Sequence, residues 1–223
     1  MSHLVHQLGV SPKLGFYDVY SIDDPELLAF IPRPAYALLF ICPPEVYGKA
    51  RNEENASMLE YEGSGDKEPV VWFKQTIQHA CGLIALLHGV SNGGAKEYIQ
   101  PGLDLDNLLK EAIPLKPIPR ADLLYESRAL ESAHQSAAKI GDTAPPEIVD
   151  LHFICFVKGK DGHLWELNGG MKGPVDRGAL DSDEDALSEK ALQLGVRTFL
   201  AREVQAGDGD LRFSIIALAP NFD

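Results

Sequence analysis

The sequence predicts an α+β fold in a single domain spanning residues 1–223, and three observations carry that expectation. Helical periodicity crowds the first part of the chain, hairpin-type strands gather in the last third, and no repeat or linker divides the series. With 223 residues, 45% of them hydrophobic, the chain is long enough to cover one core. Charged residues at 24% and aromatics at 8% exclude a mostly disordered chain. Acids outnumber bases by 33 to 20, a formal net charge of −13. Such a surface repels phosphate backbones, which argues against nucleic acid as a partner and suits a basic one. The longest apolar stretch, 80–87, is far too short to span a bilayer, and Met1-Ser2-His3-Leu4 carries no signal-peptide pattern. The chain is therefore expected to be cytoplasmic and free of membranes.

The elements follow in order. Asp24-Pro25-Glu26 is a helix start, with an acid at the N-cap and proline at the first helical position; Pro32 and Pro34 stop it. Residues 35–41 form an uninterrupted apolar run and are expected as a buried strand, closed by Pro43-Pro44. The polar, Glu-rich stretch 49–67 reads as an exposed helix and loop, and 70–73 as a short strand. An apolar helix is expected from about Cys81 to His88, ended by 89–94. Leucines at helical spacing mark 103–113, and a second amphipathic helix runs from Arg120 to about Ser132. From His134 to Ile148 the pattern dissolves into a long loop, the kind that acts as a lid. Strands at 151–157 and 163–167 flank Lys158-Gly159-Lys160-Asp161-Gly162, a hairpin signal. After Asn168-Gly169-Gly170 and the acidic run 181–185 come a helix over 186–203 and a last strand over 211–219.

Three cysteines, an odd number without a Cys-x-x-Cys pair, suit a reducing compartment, and His3 with His6 alone make a poor metal site. Cys81 stands at the start of an apolar helix, where the helix dipole favours a thiolate, and Gly82 lets a substrate backbone come close. Gln75, on the approach to that helix, is placed to aim a carboxamide donor at an oxyanion beside the Cys81 backbone N–H. On spacing alone, Cys81 as a packing residue and Gln75 as a solvated one are the favoured readings, because free cysteines mostly pack. His152 tips the balance. Strand alternation puts it on one face with Ile154 and Phe156, and a histidine buried there needs a polar partner. The hairpin returns Asn168 beside it, as an acceptor for an imidazole N–H or simply as a turn residue. Cys, His and Asn in that order match the papain-type arrangement of nucleophile, base and orienter.

Several segments in register extend the match. Gln75-Thr76-Ile77, Ala80-Cys81-Gly82, Asp150-Leu151-His152-Phe153-Ile154 and Trp165-Glu166-Leu167-Asn168-Gly169 closely resemble the ubiquitin C-terminal hydrolases, papain-like deubiquitinating cysteine peptidases. Phe16-Tyr17-Asp18-Val19-Tyr20, Ile31-Pro32-Arg33-Pro34 and Leu211-Arg212-Phe213 extend the resemblance to nearly the whole chain. It implies a papain-like domain with a central antiparallel sheet surrounded by helices. It also implies Cys81 as nucleophile, His152 as general base and acid, and Gln75 as oxyanion-hole donor. Asn168 stands as the histidine orienter where the family has Asp, and Asp18 stands at a position that meets ubiquitin. Residues 134–148 fall where the family has its active-site crossover loop. The family's amino-terminal segment is absent from this chain's opening, and Leu83 and Gly170 replace a family Thr and a bulkier residue.

The expected activity is thiol-dependent hydrolysis of small adducts or peptides from the C-terminal glycine of ubiquitin, with no cofactor or metal. The partner is ubiquitin or a ubiquitin-like modifier, and the chain is expected as a monomer. A ubiquitin-binding protein with little turnover and a papain-like thioesterase or amidase are the alternatives.

Overall fold

In the computed structural model, residues 1–77, 80–140, 151–206 and 212–221 are described. Their six strands are β1 (Leu14–Asp18), β2 (Ala37–Cys42), β3 (His152–Lys158), β4 (His163–Leu167), β5 (Val175–Ala179) and β6 (Ser214–Pro220). They form one sheet in the order β1-β6-β2-β3-β4-β5, antiparallel throughout. β2 and β3 lie at its centre, so both their faces are covered, and β2 is an unbroken apolar run for that reason.

Alternation along the strands sorts the core into two layers. On one side Leu39, Cys155 and Leu218 meet α1 (Ser2–Gln7), α4 (Cys81–Val90), α5 (Asp104–Ala112), α6 (Pro117–Glu126) and α7 (Arg128–Ile140). On the other, Leu38, Phe40, Ile154 and Phe156 meet α2 (Pro25–Leu28), α3 (Pro44–Ser57), α8 (Glu189–Leu194) and α9 (Val196–Ala206). Each buried Leu, Ile or Phe contributes roughly 1.5–3 kcal/mol, so this two-layer burial dominates the favourable side of folding. The α+β architecture and central antiparallel sheet are as expected.

α2 begins as its sequence promised: the Asp24 carboxylate accepts from the backbone N–H of Glu26 at 2.9 Å, with Pro25 in the first turn. Segment 70–73, in contrast, joins no sheet although it is buried. Side chains replace the missing neighbour strand. The Asn92 amide binds both the N–H and the carbonyl of Val71, at 2.7 and 2.9 Å. Phe73 N–H donates to His88 Nε2 at 2.9 Å, and Arg120 donates to the Trp72 carbonyl at 2.8 Å. The Arg120 guanidinium is fully buried and pairs with Glu68 at 2.6 Å while also serving the Ala112 and Ile113 carbonyls. A buried charge needs that degree of satisfaction.

The helix expected over 120–132 is two helices, parted by Ser127, whose backbone is extended and whose hydroxyl accepts from Leu130 N–H. The loop expected from His134 is helix as far as Ile140, because Leu130 and Ala133 are buried in the core and Ala137 packs against it. Small residues there are a close-packed helix face. The remainder of that expectation, 141–148, lies outside the described residues. The helix expected over 186–203 starts later, at the Ser188 N-cap, and breaks at Gly195, where a Cβ would press on the Phe156 ring at 3.1 Å. Stretch 49–67 is helical to Ser57, and Arg51 within it is buried. β5 and α1 had no counterpart in the sequence reading; β5 is short, mixed in character, and pairs across a register shift at Leu164/Trp165.

His88 has a consequence for stability against pH. Burial pushes its imidazole down to about 3, so it stays neutral in the fold while the unfolded chain protonates it below about 6.5. The native state then binds fewer protons, and stability is lost as pH falls from 6.5. His88→Gln keeps an acceptor for Phe73 N–H but cannot titrate. Denaturant unfolding of the two proteins from pH 7 to pH 4.5 should show wild-type stability falling, relative to the variant, by about 1.4 kcal/mol per pH unit. A constant difference across that range would exclude a neutral buried His88.

Candidate functional site

α4 is apolar nearly all round and lies along β3, with Gly89 facing Ala37 and Cys155. The amino end of α4 therefore reaches the start of β3. Cys81 is its first residue, and its thiol lies 3.9 Å from the carbonyl oxygen of Leu151, the residue before His152. Cys81 is partly exposed, whereas Cys42 and Cys155 are fully buried.

His152 opens β3 on the face away from α4, directly across from Cys42 and against the Tyr47 ring, with ring centroids 5.0 Å apart. Burial pushes its imidazole below the usual histidine range, opposed by a hydrogen bond from the Asn168 side chain and by the charge of Glu166. Its Nε2 is buried with no hydrogen-bond partner among the described residues, and the contact of the Cys81 thiol is with the carbonyl of the preceding residue, Leu151.

Asn168 is 3% exposed and ends the β4 hairpin arm, where its Oδ1 accepts from Gly170 N–H at 2.9 Å. The turn it begins is tied to the approach of α4: Trp72 Nε1 donates to the Asn168 carbonyl at 3.2 Å, and Gln75 N–H to the Gly169 carbonyl at 2.8 Å. Residue 169 must be glycine for this, since a Cβ would stand 2.9 Å from both Gln75 N and Ile84 Cγ2. Gln75 is thus set between the turn and α4, and its side-chain N–H₂ donates to the Ile77 carbonyl at 2.9 Å. Among the described residues one N–H of that amide has no partner. Asp18 is not part of this cluster. It is exposed at the end of β1, in a row running through Ile216, Leu39 and Cys155, three strand spacings or about 14 Å from β3.

The family described as "Ubiquitin carboxyl-terminal hydrolase, family 1" matches residues 1–201. The chain belongs to that family. Ubiquitin carboxyl-terminal hydrolase isozyme L1 of Rattus norvegicus is 35% identical over 218 residues, covering 98% of this chain and 93% of the relative. Ubiquitin carboxyl-terminal hydrolase 3 of Arabidopsis thaliana is 32% identical over 220 residues, covering 98% and 89%. Among solved structures, the catalytic domain of Trichinella spiralis UCH37 bound to ubiquitin vinyl methyl ester superposes with a TM-score of 0.72 at 19% identity, covering 99% of this chain and 91% of that one. At that identity the likeness speaks for a shared fold.

Within this hydrolase-family domain the structure adds residues that the sequence reading passed over. Glu166 has a fully buried side chain on β4, held by Arg51 at 2.9 Å and Arg177 at 2.8 Å, with Glu54 bound to Arg177 beyond. The Tyr47 hydroxyl donates to Glu166 at 3.1 Å. A sequence signal existed: a glutamate on a buried strand requires a cation, and Arg51 on a Glu-rich helix was available. No group of three or more metal-ligating side chains stands together among the described residues.

Burial separates the three thiols chemically. It holds Cys42 up to about 12, helped by the Glu166 charge, and Cys155 higher still. Iodoacetamide at neutral pH should therefore modify Cys81 at least ~10-fold faster than either other cysteine, read by peptide mass mapping over time. Equal rates for all three would contradict this placement.

Proposed function

We propose that this chain is a cysteine-type ubiquitinyl hydrolase that releases small adducts or peptides from the C-terminal glycine of ubiquitin. The observation that carries the reading is membership of the ubiquitin carboxyl-terminal hydrolase family together with a partly exposed cysteine at the first turn of α4, against the residue that precedes the half-buried His152. Cys81 gives up its proton to His152 and attacks the terminal carbonyl. The Cys81 backbone N–H and the uncommitted N–H of Gln75 hold the oxyanion. His152 then passes the proton to the departing amine, and the acyl-enzyme is hydrolysed by a water that the same imidazole activates. Asn168 accepts from the far ring nitrogen and keeps the near one facing the thiol. Alignment of thiol and imidazole tightens when substrate binds, as is common where the free site is loose.

The substrate is supported by the names of the relatives and by the ubiquitin-based ester on the structural neighbour. A net charge of −13 suits a basic partner, and exposed Asp18 is assigned as a contact to ubiquitin at the sheet's far edge. We assign residues 1–223 to one catalytic domain that works as a cytoplasmic monomer in the ubiquitin conjugation pathway, without cofactor, nucleic acid or membrane. Among the described residues no helix is long and apolar enough to cross a membrane.

A ubiquitin-amide fluorogenic reporter tests the reading. The wild type should turn it over, and Cys81→Ala and His152→Ala should each lower turnover by at least ~10³-fold while ubiquitin binding persists. Undiminished turnover in Cys81→Ala would refute the nucleophile. Tight ubiquitin binding without any wild-type turnover would mark the chain as a binding module instead.

A further inference from the structure

A hydrolase that holds an acyl group at Cys81 must also accommodate the group that leaves. The departing amine stands directly beyond the scissile carbonyl, so its first side chain falls next to the oxyanion donors. Two directions lead away from that carbonyl. Ubiquitin is assigned toward Asp18, at the β1 edge of the sheet. Gln75 marks the other, since its backbone N–H donates to the Gly169 carbonyl just past the end of β4, and β4 lies beyond β3 from β1.

A hollow opens on this second side, between segment 75–80, the first turns of α4 and one flank of α6. Gln75 and Ala80, the residue before Cys81, both line it, so it begins where the oxyanion is held. Beyond Gln75 and Thr76 its walls are apolar, with Ile77, Leu83, Leu124 and Tyr125 among them. Ile77 and Tyr125 are exposed, at 43% and 69%, and two bare apolar side chains around one hollow mark a contact surface more than scattered ones would. Leu83, which replaces the family's threonine, makes the wall more apolar still. The space is about 30 Å³, roughly that of two waters, which suits the end of a branched aliphatic side chain and excludes an indole.

Charge points the same way. The lysine on the wall, Lys74, is held by Glu60 at 3.0 Å. Lys74 also borders a wider hollow of about 460 Å³ at the start of α6, where Lys116 is likewise held, by Glu62 at 2.9 Å. A charged side chain entering beside Gln75 would exchange water for apolar walls and a cation already paired. An aliphatic side chain gains from the same exchange.

We propose that this hollow receives the first side chain of the leaving group and selects adducts that begin with a branched aliphatic residue. The inference rests on Cys81 acting as the nucleophile of the proposed hydrolase. Leu83 and Tyr125 are then specificity residues that act on the departing group and not on ubiquitin.

The test is a competition among ubiquitin chains extended at the C-terminal glycine by tripeptides beginning with leucine, aspartate or glycine. All three are present at equal concentration, and each released peptide is quantified by mass spectrometry. The release ratio equals the ratio of kcat/KM values, so loss of folded protein in a variant does not alter it. The wild type should release the leucine peptide about tenfold faster than either other. Leu83→Thr and Tyr125→Ser should each bring the leucine-to-glycine ratio below about threefold. Equal release of all three peptides, a preference for aspartate, or a tenfold ratio that survives both substitutions would overturn the proposal. If instead no extension is cleaved, or Cys81→Ala cleaves as the wild type does, the hydrolase reading itself fails and the proposal falls with it.

Discussion

The close approach of α4 to β3 is the contact on which the site depends. An almost wholly apolar helix has nowhere to go but the sheet, and it packs along β3 with Gly89 facing Ala37 and Cys155. Once α4 lies there, its first residue must arrive at the first residues of β3, and Cys81 meets the Leu151 carbonyl. The same helix then organises its own approach: His88 and Asn92 project from its far end to hold segment 71–73, which delivers Gln75 to the Gly169 turn. Fold and chemistry are coupled through one helix.

The opposite face of the sheet carries the charge. Glu166 lies fully buried, with Arg51 and Arg177 as counterions and Glu54 closing the set, so two cations and two anions balance beneath His152. Removing Glu166 would leave the two arginines with only the partly exposed Glu54 between them, a loss of about 3–5 kcal/mol. The arrangement bears on the asparagine at position 168. The negative charge acting on the His152 ring comes from Glu166, two residues before Asn168, while the neutral Asn168 side chain also favours the charged ring. Field and contact come from separate residues.

Much of this was legible before the structure. The Cys81 helix start, the His152 strand and the Asn168 turn are each local patterns, and their register carried the family resemblance. What stayed hidden depends on long-range partners. Residues 70–73 have strand composition, but their backbone is satisfied by Asn92, His88 and Arg120, a substitution visible only in three dimensions. Residues 134–140 look like loop because small and polar residues dominate, yet Ala133 and Ala137 are what a tightly packed helix face requires. Tyr47 and Arg51 sat in a stretch whose Glu content suggested solvent, and only the location of Glu166 across the sheet explains them. Asp18 was expected beside the substrate from family position alone, and its place at the sheet's edge separates it from the thiol.

The central claim is that Cys81 is the one nucleophile in a site built to receive the carboxyl terminus of ubiquitin. Incubation with ubiquitin vinyl methyl ester followed by intact-mass and peptide mapping addresses it most directly, because the electrophile reports recognition and thiol attack in one event. The account predicts a single thioether adduct per chain, carried by Cys81, formed with a small molar excess of the electrophile and absent from Cys81→Ala. An adduct on Cys42 or Cys155, or a wild-type chain left unmodified while it binds free ubiquitin, would contradict it.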